Sequence, residues 1–270
     1  MTAYLQRHLR YLAAPQTHKP LISFGESITP NEGDDIYYPI VDGVYQFMKH
    51  DPSVDFDKTC DQRGWSAPSV AEFMALPHEG LRGWGANYWR QRGLSTAGMW
   101  HVLEQFRRDA KRRPAGFQGV AAHITTGLPY VAYGLDLGGY ATYAVSPHRG
   151  AYSLGVYSTG RFARVQATLD ALPLKPDSFD VIVYSAVLPT DAPTDSQIEQ
   201  MLMSLKRRGG MLFLLDVADA VGRYKKLLRR HALRVESLDL RMMEDSVTPR
   251  VSALLGRRGA MPPLLVAKWA

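Results

Sequence analysis

Apolar and polar positions give the two parts of the chain different textures. From residue 116 to 270, short apolar runs alternate with segments in which apolar residues recur every three or four positions. The runs at 120–124, 141–145, 163–167, 181–184, 211–217, 233–240 and 264–269 read as strands. Unbroken apolar runs such as Val181-Ile182-Val183-Tyr184 suit strands covered on both faces, as in a parallel sheet. Segments 130–137, 194–205 and 218–231 read as helices. Thr194 caps the second, Ile198, Met201, Leu202 and Leu205 form its apolar stripe, and Gly209-Gly210 stops it. This rhythm predicts an α/β fold: a mainly parallel sheet with helices on both faces. The last strand has no long helix before it, so it is expected to enter antiparallel.

Residues 1–115 form a separate extension in this reading, and 116–270 the main domain. Tyr4, Leu5, Leu9, Tyr11 and Leu12 suggest a short amphipathic helix. Two β-prone runs at 21–24 and 36–41 flank a turn at 31–35, and Asp42-Gly43 turns into a third run at 44–48. That is a small antiparallel unit, with Tyr37, Tyr38, Tyr45 and Phe47 as its hydrophobes. Helices are expected at about 66–76 and 86–92, and from Ser95 to a point before Pro114.

Composition adds limits. The 270 residues are 46% hydrophobic and 21% charged, which is globular and sufficient for one large core. No apolar run reaches the roughly 18 residues of a membrane span. Arg7, His8 and Arg10 interrupt any signal-peptide core at the start, so no membrane and a cytoplasmic location are expected. The single cysteine, Cys60, can form no internal disulfide and cannot hold a structural zinc alone. The net charge is +6, with basic clusters at Arg107–Arg113, Lys206–Arg208 and Lys225–Arg230. They read either as solvated helix ends favoured by the helix dipole or as a patch for phosphate, nucleic acid or an acidic partner. No aromatic-basic nucleic-acid motif accompanies them.

Leu172-Pro173-Leu174 followed by Asp177-Ser178-Phe179-Asp180-Val181 resembles the segment joining the third and fourth strands of class I S-adenosylmethionine (SAM) methyltransferases. Leu205 to Leu212, with Gly209-Gly210 inside it, is similar to that family's turn into the fifth strand, and Leu264 to Ala267 to its terminal strand. The resemblance covers about 118–270. It implies a Rossmann-like fold with a ligand crevice at the carboxyl ends of the strands. Tyr38 to Val44 resembles the end of a small zinc ribbon preceding some bacterial methyltransferases, but the paired cysteines are missing, so no metal is expected.

The resemblance also implies where a cofactor would touch, and there the residues depart from the pattern. The glycine-rich first turn becomes His123-Ile124-Thr125-Thr126-Gly127-Leu128-Pro129. Gly127 is retained. His123 replaces an acid, and Thr125 and Pro129 stand where glycines are expected. Ser146 occupies the position of the ribose-binding acid. Thr168 lies where an adenine-side Asp is expected, with Asp170 as a substitute two residues on. Thr125, Gly127, Ser146, Thr168 and Asp170 are therefore the cofactor-binding candidates, and the losses argue against ordinary SAM binding.

His123 and Tyr184 are the catalytic candidates, a histidine at a strand end being able to move protons near neutral pH. The alternative for each is a satisfied core residue. Tyr88 and Arg92 are the substrate-side candidates, in an aromatic-basic segment that in similar methyltransferases folds over the site; the alternative is plain helix packing. The expected function is that of a divergent methyltransferase-like protein with a degenerate SAM site, either a pseudo-enzyme partner of another protein or an enzyme reusing the crevice for a small molecule. The other reading is an active SAM-dependent methyltransferase acting on a small molecule or RNA.

Overall fold

A computed structural model of the chain describes residues 3–31, 36–48, 118–127, 129–152, 161–185, 192–215, 220–238 and 264–269. The helices expected between 66 and 113, with Cys60, Tyr88 and Arg92, lie outside the described residues.

The strands are β1 (Leu21–Phe24), β2 (Ser27–Pro30), β3 (Tyr38–Val41), β4 (Val44–Gln46), β5 (Val120–Thr125), β6 (Ala141–Ser146), β7 (Ala163–Gln166), β8 (Val181–Ser185), β9 (Met211–Leu215), β10 (Leu233–Leu238) and β11 (Leu264–Trp269). The helices are α1 (Ala3–Leu9), α2 (Tyr130–Leu137), α3 (Asp195–Ser204) and α4 (Val221–Arg230). Among the described residues the strands form one sheet in the order β1-β2-β3-β4-β7-β6-β5-β8-β9-β11-β10. Pairing is parallel from β4 through β9. It is antiparallel where β11 inserts between β9 and β10.

Alternation along each strand separates the faces. One face carries Ile124, Tyr143, Val145, Val165, Ile182, Tyr184, Leu212 and Leu214 in a single core. α3 and α4 cover it with Ile198, Met201, Leu202, Tyr224, Leu227 and Leu228. On α4 the exposed side carries Arg223, Lys226, Arg229 and Arg230, opposite the buried Tyr224, Leu227 and Leu228. The opposite face carries His123, Thr125, Ala144, Ser146, Val183, Ser185 and Phe213, all buried, and α2 packs there.

The methyltransferase-like landmarks are structural joints. The Asp180 carboxylate accepts the Val120 N–H and the Lys206 ammonium, both at 2.8 Å, tying the start of β5 to the turn before β9. Phe179 is fully buried and stacks edge-on against Tyr143 at 5.4 Å. α3 begins with a capping box in which Thr194 and Gln197 satisfy each other's backbone N–H groups.

The N-terminal part is built onto this sheet and core. β4 lies parallel to β7 with Val44, Tyr45 and Gln46 opposite Arg164, Val165 and Gln166. Leu9, Leu12, Leu21, Ile28 and Tyr45 join the same core as β5 to β9. The Tyr143 hydroxyl donates to the His8 carbonyl at 2.8 Å. The antiparallel unit has four strands instead of the expected three. Its first turn is at Gly25, whose φ of +60° allows a tight hairpin there. β2 escaped the sequence pattern because Ile28 is its only large apolar residue.

Candidate active-site crevice

The carboxyl ends of β5, β6, β7 and β8 meet at the place where the chain order reverses around β5, the switch point at which open α/β sheets bind ligands. His123 lies two residues before the carboxyl end of β5 and has no exposed surface. Its Nδ1 accepts the N–H of Ala132 at 3.3 Å. That leaves the proton on Nε2, which donates to Ser185 Oγ at 2.9 Å. Ser185 Oγ donates to Thr125 Oγ1 at 3.0 Å, and Thr125 Oγ1 donates to the Ser185 carbonyl at 3.2 Å. Thr125 Oγ1 also accepts the Gly127 N–H at 3.0 Å. The result is a directed chain from the helix through an imidazole and two hydroxyls into the turn.

The chain has a local cause. α2 starts after Pro129, which offers no side-chain cap. Ala132 is the third residue of the helix, and its N–H is one of the orphan donors that an N-cap normally satisfies. The His123 ring supplies the missing acceptor. Burial pulls its pKa from 6.5 down to about 3, so the ring is neutral near pH 7.

The other candidates are spread out. Tyr184 is fully buried on the opposite face, in the core with Ile124 and Leu214. Ser146, at the end of β6, is fully buried and its Oγ accepts the His148 N–H at 3.1 Å. Thr168 is half-buried after β7, and its carbonyl accepts the Ala171 N–H at 3.3 Å. The Asp170 carboxylate is held at the start of α3, where Gln197 Nε2 donates to it at 2.8 Å. The structure therefore brings His123, Thr125 and Gly127 together, with Ser146 on the neighbouring strand, and places Tyr184 and Asp170 elsewhere. Ser185, the centre of the chain, was not singled out from sequence. Its register opposite Thr125 was the available signal, and reading it requires knowing that β5 and β8 are neighbours.

Counted from β5, the parallel strands β7-β6-β5-β8-β9 run 3-2-1-4-5, and an antiparallel hairpin closes the edge beyond them. This is the Rossmann-like α/β architecture that the sequence resemblance implied. Solved structures similar to this chain include a putative SAM-dependent methyltransferase from Listeria monocytogenes, with 16% identity, TM-score 0.46, and coverage of 65% of this chain and 98% of that one. Magnesium protoporphyrin IX methyltransferase from Synechocystis, with bound SAM, matches at 14% identity and TM-score 0.47, covering 73% and 94%. A SAM-dependent methyltransferase from Mesorhizobium loti matches at 14% identity and TM-score 0.44, covering 64% and 98%. No protein-family profile matches the chain, and no curated protein matches it in sequence.

Among the described residues no group of three His, Cys, Asp or Glu side chains could hold a metal ion. No described helix is long and apolar enough to cross a membrane.

Proposed function

We propose that this methyltransferase-fold protein does not use SAM in the family's manner and works by binding, as a partner of another protein or as the host of a different small molecule. The Gly127 N–H bond to Thr125 Oγ1 supports this reading most directly. A strand-to-helix turn holds the carboxylate of an amino-acid cofactor through outward-pointing N–H groups. Here the Gly127 N–H is spent inside the protein, Pro129 has none, and the Ala132 N–H belongs to His123. Ser146 also offers no charge to a ribose diol, unlike a carboxylate. The residues present do not fit SAM.

In this reading His123 is a positioning residue that caps α2 and locks the turn. It is enclosed and stays neutral, so it takes up no proton near pH 7 and has no surface for a substrate to reach.

The test is calorimetric titration of the full chain with SAM and with S-adenosylhomocysteine. No heat up to about millimolar ligand is expected, on the loss of at least two hydrogen bonds to charged ligand groups. Micromolar binding overturns the reading and turns the search to methyl acceptors, a small molecule or RNA. Thr125→Gly, which releases the Gly127 N–H, is the control in which SAM binding should increase.

A further inference from the structure

The strand directions bring three distant basic stretches to one corner of the sheet. β9 and β10 both begin at the amino end of the parallel strands, and the antiparallel β11 between them finishes there. The turn into β9 carries Arg207 and Arg208. The end of α4 and the start of β10 carry Arg229, Arg230 and Arg234, and β11 closes with Lys268 beside Trp269. The five arginines are exposed and Lys268 is half-buried. This corner lies at the opposite end of the sheet from the crevice.

Counter-ions are given to the neighbours of these cations and not to them. Lys206 is paired with Asp180 at 2.8 Å, Arg223 with Asp195 at 3.1 Å, and His231 lies 3.3 Å from Glu199. The Asp177 carboxylate accepts the backbone N–H of Arg207, at 2.8 Å. Among the described residues, none of the six side chains forms an ion pair. Residues 220–235 contain no acid at all.

The dipoles of α3 and α4 favour cations at and just past their carboxyl ends, which accounts for the arginines there. They do not account for Arg234 and Lys268, which lie on strands directly opposite each other across the antiparallel pair. Their neighbours Leu233, Val235, Ala267 and Trp269 pack on the core, so both cations point to the other face. Like charges placed opposite each other on a sheet destabilise it. Glu236, two residues further along β10, is opposite Val266 instead of Lys268. Folding alone gives no reason for such a pair, and an anion from outside does.

The arrangement favours a chain of phosphates. Arginine's planar fork takes two phosphate oxygens at once. β9 and β10 are two strand spacings apart, roughly 10 Å, so one small anion cannot bridge the corner. A lipid surface also needs apolar side chains to insert. Of the large hydrophobic side chains exposed among the described residues, Met203 on α3 lies at this end, and Ile22, Phe24, Ile36 and Tyr37 lie on or beside β1 and β3.

We propose that Arg207, Arg208, Arg229, Arg230, Arg234 and Lys268 bind the phosphate backbone of a nucleic acid without reading its sequence. This goes beyond the proposed function, since the partner is neither a protein nor a small molecule and the surface lies away from the crevice. It stands whether or not SAM binds.

The experiment is fluorescence anisotropy of the full chain with labelled oligo(U) RNA and oligo(dT) DNA, each about 20 nucleotides long. Micromolar binding is expected at about 50 mM salt, weaker by at least about tenfold at about 200 mM, because bound phosphates release counter-ions. RNA and DNA should bind within about threefold of each other, since only phosphates are contacted. The double variants Arg229→Gln with Arg230→Gln, and Arg234→Gln with Lys268→Gln, should each weaken binding about tenfold and flatten the salt slope by about 1. The melting temperature of the second should hold or rise, because a like-charge pair is gone. Lys19→Gln with Arg161→Gln removes the same charge before β1 and β7 and should change binding by less than about twofold. No binding to either oligonucleotide overturns the proposal. So does a control variant that loses as much as the other two, a tenfold preference for RNA or DNA, or tighter binding to phosphatidylserine vesicles than to either strand. None of these outcomes bears on the SAM titration.

Discussion

His123 and Tyr184 sit on neighbouring strands, one residue out of step, and face opposite sides of the sheet. His123 is opposite Val183 and Tyr184 is opposite Ile124. The histidine joins the hydroxyl chain beneath α2, and the tyrosine joins the core beneath α3 and α4. A sheet therefore separates the two side chains, and no single substrate position touches both.

Stability should fall with acid through two buried histidines. Burial lowers His123 to about 3 and His8 to about 4, while the unfolded chain keeps both near 6.5. Below pH about 6.5 the unfolded state binds more protons, so stability is full above that value and declines as pH drops towards the folded values. The slope reaches about 1.4 kcal/mol per pH unit for each histidine. Urea unfolding at a series of pH values between neutrality and mild acid should show it, and His123→Gln should make the slope shallower. An unchanged slope in the variant would show that acid acts elsewhere.

Thr125→Val keeps the shape of the side chain and removes its hydroxyl. It leaves the Gly127 N–H and the Ser185 hydroxyl without their partner. A loss of about 1–3 kcal/mol is expected. Denaturant unfolding measures it, and hydrogen exchange should report faster opening at the turn around Gly127.

Tyr143→Phe should loosen the N-terminal segment from the sheet. The lost bond to the His8 carbonyl is worth about 1 kcal/mol. Amide exchange along residues 3–14 should speed up more than exchange in β5 or β8. A uniform change across the chain would show that this hydroxyl is not a specific tether.

Gly209 and Gly210 should respond differently to alanine. Gly209 has φ +75° and open space around it, so Gly209→Ala costs only the strain of a left-handed residue, about 1–2 kcal/mol. A Cβ on Gly210 would overlap the Lys206 carbonyl oxygen and the Leu205 side chain. Gly210→Ala should therefore be the more damaging, with a lower melting temperature and less soluble protein as the readouts.

The parts of this fold that were legible are those where one signal suffices. An apolar run marked β8, and Thr194 marked the start of α3. The landmarks at Asp177–Asp180 and Gly209-Gly210 were legible as fold because they tie strand starts to one another, at the end of the sheet away from the crevice. The site was less legible because its contacts are pairwise across distant strands. Nothing near His123 in sequence announces Ser185, 62 residues on. Nothing near Asp170 announces Gln197, which holds its carboxylate away from β7. The pairing of Gln46 with Gln166 could not be read at all, because a three-residue strand gives no sign of its neighbour.

The parallel pairing of β4 with β7 also sets an order of events during synthesis. β4 emerges from the ribosome early, but the strand it pairs with is completed only at Gln166. The Tyr143 hydroxyl meets the His8 carbonyl across 135 residues of chain. Until the middle of the chain has been made, the N-terminal hairpins have no sheet to join and Tyr45 has no core to enter. Contacts of such long range form slowly, and unpaired strand edges attract other chains meanwhile. The first residues to be made are thus among the last to dock, and a nascent chain stalled before β7 would be the form most exposed to aggregation and most dependent on chaperones.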